Sequence, residues 1–528
     1  MPAVHVKSDK VRYTTDAIET HYEYATTRVS CGADGAVEVE PIMHHLIFRT
    51  ERKVPRVGVM LIGWGGNNGT TVTAGILANK LGLVWRTRRG MQSANYFGSV
   101  TQSSTINVGM TRNMQEIFVP LKDIVPMVAP NDLVIGGWDC NNMNLGEAMR
   151  RAGVLDVQVQ EALYEKMREM QPLPAIFDID FVAANQKERA NNVLDARDRW
   201  DAVERVRGDI RQFKAANQLD KVLVLWTANT ERFSEHREGI HDTADNLVAA
   251  VKRNETEVAP SALYAMAAIL EGCSFINGAP QNTLCPGLVE MARAAHVFIG
   301  GDDFKSGQTK MKSALLEFFV GAGIKPECIA SYNHLGNNDG YNLSSPPQFS
   351  SKEITKSNVV DDMIASNNVL FPEGTPKPDH CIVIKYMPYV GDSKRAMDEY
   401  TFSIFMGGQQ TVVLHNTCED SLLAAPLIID LLVLTELMER ITVSASDGSQ
   451  ASLPSSSSFE HMETVLSILS YLLKAPAVPA GAPVINALNR QKAAIENVLR
   501  ALIGLPAESN MLLECRVPFM REVHANGE

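Results

Sequence analysis

The sequence predicts an α/β protein, with a doubly wound parallel sheet followed by a second α+β domain on a mixed sheet. Three observations predict it. Short apolar strands alternate with helices from residue 57 to about 309, the pattern of a parallel sheet covered on both faces. Two of those strands run straight into glycine-rich turns that open helices. From residue 310 strands succeed one another with one helix between the first two, as in a mixed sheet.

Residues 1–56 have scattered Tyr and β-branched residues and no helical period, so an extended or short-stranded arm is expected. Strands are then expected at 57–62, 133–135, 222–226, 274–276 and 297–299. Helices are expected at 72–82, 144–152, 157–169, 241–252, 259–272 and 284–295. A helix over 310–322 precedes strands near 327–333, 380–387, 398–406 and 410–415. Residues 422–441 read as a long apolar helix, 444–458 as a Ser-rich low-complexity loop, and 459–474 and 485–503 as two helices. The domains expected are an arm (1–56), a nucleotide-binding domain (57–309), a second domain (310–423) and C-terminal helices (424–528) that return to the first.

A chain of 528 residues is long enough for two or three domains. A net charge of −12 argues against nucleic acid as a partner. The eight cysteines show no C-x-x-C spacing, which points to a reducing compartment and no metal site. Met1 to Asp9 has no apolar signal region, so a cytoplasmic protein is expected. The apolar stretch from Leu422 to Leu437 is interrupted by Pro426 and Asp430. It falls short of the roughly 20 residues a membrane span needs and reads as a core helix, so no membrane is expected as a partner.

The first glycine-rich turn is Gly63-Trp64-Gly65-Gly66-Asn67-Asn68-Gly69-Thr70. Gly63-x-Gly65 fits the tight turn and close pyrophosphate approach of a dinucleotide fingerprint, with the third glycine displaced to Gly69. A helix N-terminus offers free N–H groups and a positive dipole end to a phosphate. The ribose acid usual about 20 positions on is missing. Arg86, Arg88 and Arg89 stand there and suit a 2′-phosphate, whereas Asp139, at the end of a neighbouring strand, suits free ribose hydroxyls. NAD and NADP stay open on these residues.

The second turn runs Gly300-Gly301-Asp302-Asp303-Phe304-Lys305-Ser306-Gly307-Gln308-Thr309. Its N–H groups and the Ser306 hydroxyl fit a phosphate, and simple N-capping by Ser306 or Thr309 fits equally. Asp302 and Asp303 suit a ribose, a metal or a substrate hydroxyl. Lys352 and Lys356 stand four apart and would share a helix face. Lys394 lies in a loop. Any one lysine is ordinarily a surface charge, but clustered ammonium groups lower one another's pKa and can divide base and oxyanion-stabilising roles. Residues 331–342 are dense in amides and read as a ligand-lining loop.

Together these segments resemble one family over residues 10 to 515: myo-inositol-1-phosphate synthase of the eukaryotic type. The resemblance rests on Gly63–Thr70, Gly300–Lys312, Ser331–Leu343, Ser351–Ser357, Asp379–Tyr400, His415–Ser421 and the run Leu473-Lys474-Ala475-Pro476. It implies a Rossmann-type domain and a catalytic domain that also forms a cytosolic homotetramer. It implies an NAD-dependent isomerase that turns D-glucose 6-phosphate into 1D-myo-inositol 3-phosphate. By the same resemblance Gly65, Gly66, Asn67, Asn68 and Asp139 would meet NAD. Gln186, Arg189, Thr227, Ala228, Asn229, Thr230, Gly278, Asp303, Ser306, Asn337, Asn338, Asp339, Lys352, Asp392 and Asp420 would complete that site. Ser306, Gly307, Gln308, Lys356 and Lys394 would hold the substrate phosphate. Lys352, Lys356 and Lys394 would be catalytic. The family's fourth lysine sits in a Leu-Asn-Lys-Gln-Arg run, which here reads Leu488-Asn489-Arg490-Gln491-Lys492, so Arg490 or Lys492 would take that place.

The implied chemistry oxidises C5, removes a C6 proton, closes the ring on C1 and reduces C5 again. The substrate phosphate itself can serve as the C6 base. Lysines suit the oxyanions that each step makes or removes. Two other classes remain. A net sugar-phosphate dehydrogenase would accumulate NADH. A non-catalytic NAD sensor would bind without turnover, and the retained Lys352, Lys356 and Lys394 speak against it.

Overall fold

A computed structural model describes residues 4–446 and 459–520. The arm, expected to be extended or short-stranded, is extended but not short-stranded: it forms a long antiparallel hairpin of β1 (Ala17–Cys31) and β2 (Val37–Glu51). The buried end of this hairpin joins a five-stranded sheet with Val11–Tyr13, Ile441–Ala445 and Glu460–His461. Ser444, expected in the low-complexity loop, therefore belongs to a strand. The remainder of that loop, residues 447–458, lies outside the described residues.

The parallel sheet forms as expected. It contains β3 (Val57–Ile62), which leads into α1 (Asn67–Lys80), then β4 (Val134–Asp139), β5 (Lys221–Trp226), β6 (Phe275–Asn277) and β7 (Ile299–Gly300). The strand order is Leu173–Pro174, β4, β3, β5, β6, β7, with every pair parallel. Alternate residues of β3 feed two cores. Val57, Val59 and Leu61 face one, Met60 and Ile62 the other. A helix absent from the expectation, Arg199–Ala216, is capped by the Asp198 carboxylate accepting from the Asp201 N–H.

The second domain follows α2 (Gly307–Gly321). It holds β8 (Lys325–Leu335), α3 (Pro346–Ser357), β9 (Asp379–Tyr386), β10 (Ser393–Ser403) and β11 (Gln409–Glu419). Three helices, not one, separate β8 from β9: Asn338–Asn342, α3 and Asp361–Ala365. The sheet runs β9-β8-β10-β11 and is mixed: β8 pairs with β9 in parallel and with β10 antiparallel.

The apolar helix is α4 (Asp420–Glu439). It is long and apolar enough to cross a membrane by composition, yet 89% of its apolar window is buried, in the same core as Val57, Val59 and Leu61. Asp430 explains how a charge survives there. Its carboxylate accepts from the Ser99 and Thr101 hydroxyls and from the N–H groups of Val100 and Thr101, at 2.7–2.9 Å.

The helix expected over 459–474 does not form. Thr464 and Leu466 instead exchange backbone hydrogen bonds with Ile299, and a short 3-10 turn follows at Ser467–Leu472. Here pairing to the open edge of the parallel sheet outweighs local helix preference. The last expected helix forms as α5 (Leu488–Leu502).

Candidate active site

The parallel sheet sets the first wall. Gly63 has φ +86°, and a Cβ there would lie 2.6 Å from the Ala228 Cα; one at Gly69 would lie 2.3 Å from the Trp64 carbonyl oxygen. Only glycine lets β3 turn this tightly into α1. Gly66 caps α1 without a side-chain hydrogen bond, and the first turn carries no acid. The leading N–H groups stay free for an anion beside the pocket that Gly66, Asn67 and Asn68 line. Gly65 packs under this loop, its carbonyl accepting from Arg151 Nη2 at 2.6 Å.

Asp139, at the end of β4, faces Gly65 and lines the same pocket. Burial pushes its carboxyl up, against the opposing pull of the Asn141 N–H and the Arg189 and Arg151 cations. Arg189 and Arg151 also line the pocket; nothing in the sequence set Arg151 apart from a surface helix charge. Arg86, Arg88 and Arg89 are exposed on or beside the Val84–Thr87 strand and do not line it.

The end of β5 and the 337–339 loop close on each other across the cleft. Gln186 Oε1 accepts from both Asn229 Nδ2 (2.8 Å) and Asn338 Nδ2 (2.9 Å). Asp339 accepts from the Thr230 N–H and hydroxyl. Asn337 caps Asn338–Asn342 by accepting from the Gly340 N–H. Thr227, Ala228, Gly278, Asn337 and Lys394 line the pocket with these. So does Glu231, another residue without a sequence signal. Burial raises its carboxyl to about 8, although the Ser261 hydroxyl and N–H both donate to it.

The centre is Asp303. Its Oδ1 accepts from Lys352 Nζ at 2.7 Å and from Lys474 Nζ at 3.1 Å, and its Oδ2 from the Thr355 hydroxyl at 2.9 Å. Burial alone would raise this carboxyl, but the Lys352 and Lys474 cations hold it at about 2. Lys352 keeps 14% of its side chain exposed, and against the cost of its partial burial Asp303 and Asp339 keep its ammonium pKa raised. Lys474 takes the opposite course: burial and the neighbouring Lys352 and Lys394 cations lower it to about 7 despite Asp303. Asp302, the other member of the acidic pair, turns away. It accepts from Asn277 Nδ2 at 2.7 Å, and burial raises its carboxyl well above normal.

Lys394 Nζ donates to Asp420 at 3.3 Å. Lys356, one turn from Lys352 on α3, donates to Gln308 Oε1 (2.9 Å) and Asn333 Oδ1 (3.2 Å). Burial, reinforced by four neighbouring ammonium groups, drives its pKa well down. Ser306 caps α2 with no side-chain hydrogen bond, which leaves its hydroxyl available to the pocket it lines. Gly307, Gln308 and Lys356, expected at the substrate phosphate, do not line it. Asp392 does not line the pocket. Its carboxylate accepts from the Ser421 hydroxyl and N–H and from Asn67 Nδ2, and its carbonyl from the N–H groups of Lys394 and Asp420, so it braces four residues that do line the pocket.

The fourth lysine needs correcting. Arg490 is exposed on α5, and Lys492 is ion-paired with Glu496 one turn on; neither lines the pocket. What α5 sends inward is Gln491, which accepts from the buried Lys305. The further lysine that does line the pocket is Lys474. Its N–H donates to the Asp303 carbonyl at 2.7 Å, and Ala475 pairs with Asp302, which carries the side chain into the pocket. The run Leu473-Lys474-Ala475-Pro476 was visible as a motif, but no periodicity marked its lysine as buried.

An NAD-binding family model described as myo-inositol-1-phosphate synthase matches residues 57–500. The chain is 65% identical over 526 residues to the inositol-3-phosphate synthase of Trypanosoma brucei brucei, covering 99% of this chain and all of that one. It is 56% identical to mouse inositol-3-phosphate synthase 1, covering 96% and 89%. Its fold is similar to the crystal structure of inositol-3-phosphate synthase from Caenorhabditis elegans, with a TM-score of 0.93, 50% identity and coverage of 97% and 98%.

Proposed function

Because the chain belongs to the myo-inositol-1-phosphate synthase family, we infer that this pocket turns D-glucose 6-phosphate into 1D-myo-inositol 3-phosphate, an isomerisation without net redox change. The observation that carries the reading is the pair Lys352 and Lys474 on one buried carboxylate, beside two uncapped helix N-termini suited to phosphates. Product analysis after incubation with glucose 6-phosphate and NAD tests it. Inositol phosphate should form with no lasting rise in nicotinamide absorbance. Steady NADH growth would favour a net dehydrogenase, and binding without product a sensor.

The residues fit NAD. Gly65, Gly66, Asn67 and Asn68 would hold the pyrophosphate on the α1 N-terminus, and Asp139 the ribose hydroxyls. Gln186, Arg189, the Thr227–Thr230 strand end, Gly278, Asn338 and Asp339 would line the rest. NAD, when bound, supplies the acceptor and later the donor of the hydride exchanged at C5. Asp139 favours NAD over NADP, because a 2′-phosphate would meet a carboxylate. Asp139→Ala should weaken NAD binding by about 1–3 kcal/mol in calorimetry, the scale of charge-assisted hydrogen bonds. Tighter binding of NADP than NAD by the wild type would overturn this.

The lysines divide the chemistry. Lys474, half deprotonated near neutral pH, takes the C5 hydroxyl proton and later returns it. Lys352 stays charged on Asp303 and faces the oxyanion of enolisation. Ser306, the N–H groups of Gly307 and Gln308, Lys356 and Lys394 hold the phosphate. That grip keeps an acyclic sugar in the curled shape ring closure needs.

A homotetramer fits the outer face of the mixed sheet. Tyr332 stands opposite Met397, and Val413 lies on the same face among Glu399, His415 and Arg395; the three apolar side chains are 44%, 46% and 63% exposed. A second copy of this chain would cover them. Sedimentation at micromolar concentration should give a tetramer, and a monomer would count against it. All eight cysteines are unbridged, which supports a cytoplasmic, reducing setting.

A further inference from the structure

Alternate residues of β10 line one buried face: Lys394, Ala396, Asp398 and Tyr400. Lys394 reaches the pocket. Asp398, 1% exposed and opposite Ser331 on β8, lies deeper and has no part in the chemistry described above. Its Oδ1 accepts from Gln308 Nε2 at 2.7 Å, and its Oδ2 accepts from the Tyr400 hydroxyl at 2.8 Å. The other end of the Gln308 amide, Oε1, accepts from Lys356 Nζ at 2.9 Å. An amide has one donating and one accepting end. Turned over, Gln308 would set its oxygen against the Asp398 carboxylate, a contact that repels, and would withdraw the acceptor that Lys356 Nζ now uses. Asp398, an acceptor only, therefore decides which end Lys356 meets. Neither hydrogen-bond partner of Lys356 is a carboxylate; both are amide oxygens. An incoming anion would supply the counter-charge that these partners lack and favour the ammonium form of Lys356, with the Asp398 carboxylate one amide away.

We propose that Asp398 is a positioning residue for substrate binding: through Gln308 it fixes the acceptor that holds Lys356 at the phosphate subsite. This rests on reading Gln308 and Lys356 as phosphate-binding residues. Phosphate is gripped alike before and during the reaction, so the effect should fall mainly on KM.

The test is a cycle of Asp398→Asn, Gln308→Met and the double variant, assayed with glucose 6-phosphate and NAD. Asparagine keeps the size of Asp398 but removes its charge and can present either an oxygen or an NH2 to Gln308, so position 398 no longer selects one orientation of the amide. Asp398→Asn should raise KM by about 10- to 100-fold, the range of one charge-assisted hydrogen bond, with a smaller change in kcat. In the Gln308→Met background it should add less than about threefold, because the linking amide is gone. NAD affinity should not change. A wild-type KM in folded Asp398→Asn, or a full additional effect in the double variant, overturns the proposal. If Asp398→Asn does not fold, Asp398→Glu decides. It keeps the carboxylate and should hold KM within about threefold even with a lower Tm; a folded protein with KM raised about tenfold overturns the proposal. A wild type that forms no inositol phosphate overturns the functional reading instead, and so the two failures stay separate.

Discussion

Lys474→Met should lower kcat by about 10²–10⁴-fold, the usual contribution of a positioned acid–base group, with little change in NAD affinity. Among the lysines that line the pocket, Lys474 is the one whose ammonium is lowered to about 7, by burial and by its neighbours Lys352 and Lys394. Lys352 sits on the same carboxylate but is held charged. A lysine raised above its normal value stabilises anions, whereas one near the working pH can exchange protons. The sign follows. The base form of Lys474 grows as pH rises, so kcat should climb through about pH 7 and level off above it. The Met variant should lose that limb. Arg490→Ala and Lys492→Ala, on the outward side of α5, should leave turnover near wild type. The measurement is inositol phosphate formed per enzyme across pH 5.5–9. A Lys474→Met variant with wild-type kcat, or loss of turnover in Arg490→Ala, would return the fourth lysine to α5.

Asp303→Asn should cost about 3–5 kcal/mol of stability, the range for breaking a buried ion pair from one side. The substitution keeps the size of the side chain and strands the Lys352 and Lys474 ammonium groups without their carboxylate. Turnover should fall as well, since Lys352 and Lys474 then lose the carboxylate that holds both. The pH dependence has a definite sign. The folded carboxyl titrates at about 2, below its unfolded value of 3.8, so its contribution is complete above pH 3.8 and is lost as pH falls through about 2. Wild type and variant should therefore differ most near neutrality and converge in acid. Lys474 acts in the other direction. Its folded value near 7 lies below 10.5, so the burden of its buried charge is relieved as pH rises from 7 toward 10.5. Adding Lys474→Met to Asp303→Asn removes one stranded cation and should recover part of the loss. Urea unfolding of the three proteins reads this out. Equal midpoints for wild type and Asp303→Asn would show that Asp303 does not anchor the cluster.

The sequence by itself determined the framework. Alternating apolar strands and helices placed the parallel sheet within a few residues, because hydrophobic period and length suffice for such elements. The glycines at 63 and 69 announced the turn into α1, since only glycine tolerates that backbone approach. Asp139, Asp303, Lys352 and Lys394 were legible from motifs, and the resemblance supplied the reaction. Tertiary structure decided the rest. The hairpin of β1 and β2 was hidden because its exposed half lacks a buried face to set a pattern. Residues 464–466 became an edge pairing with Ile299, a contact more than 160 positions away that no local signal encodes. The same ladder carried Lys474 to Asp303 and left Arg490 outside. Whether a lysine is a base, an anchor or a surface charge depends on its burial and on which carboxylate it meets. Chain folding fixes both, and residue spacing records neither.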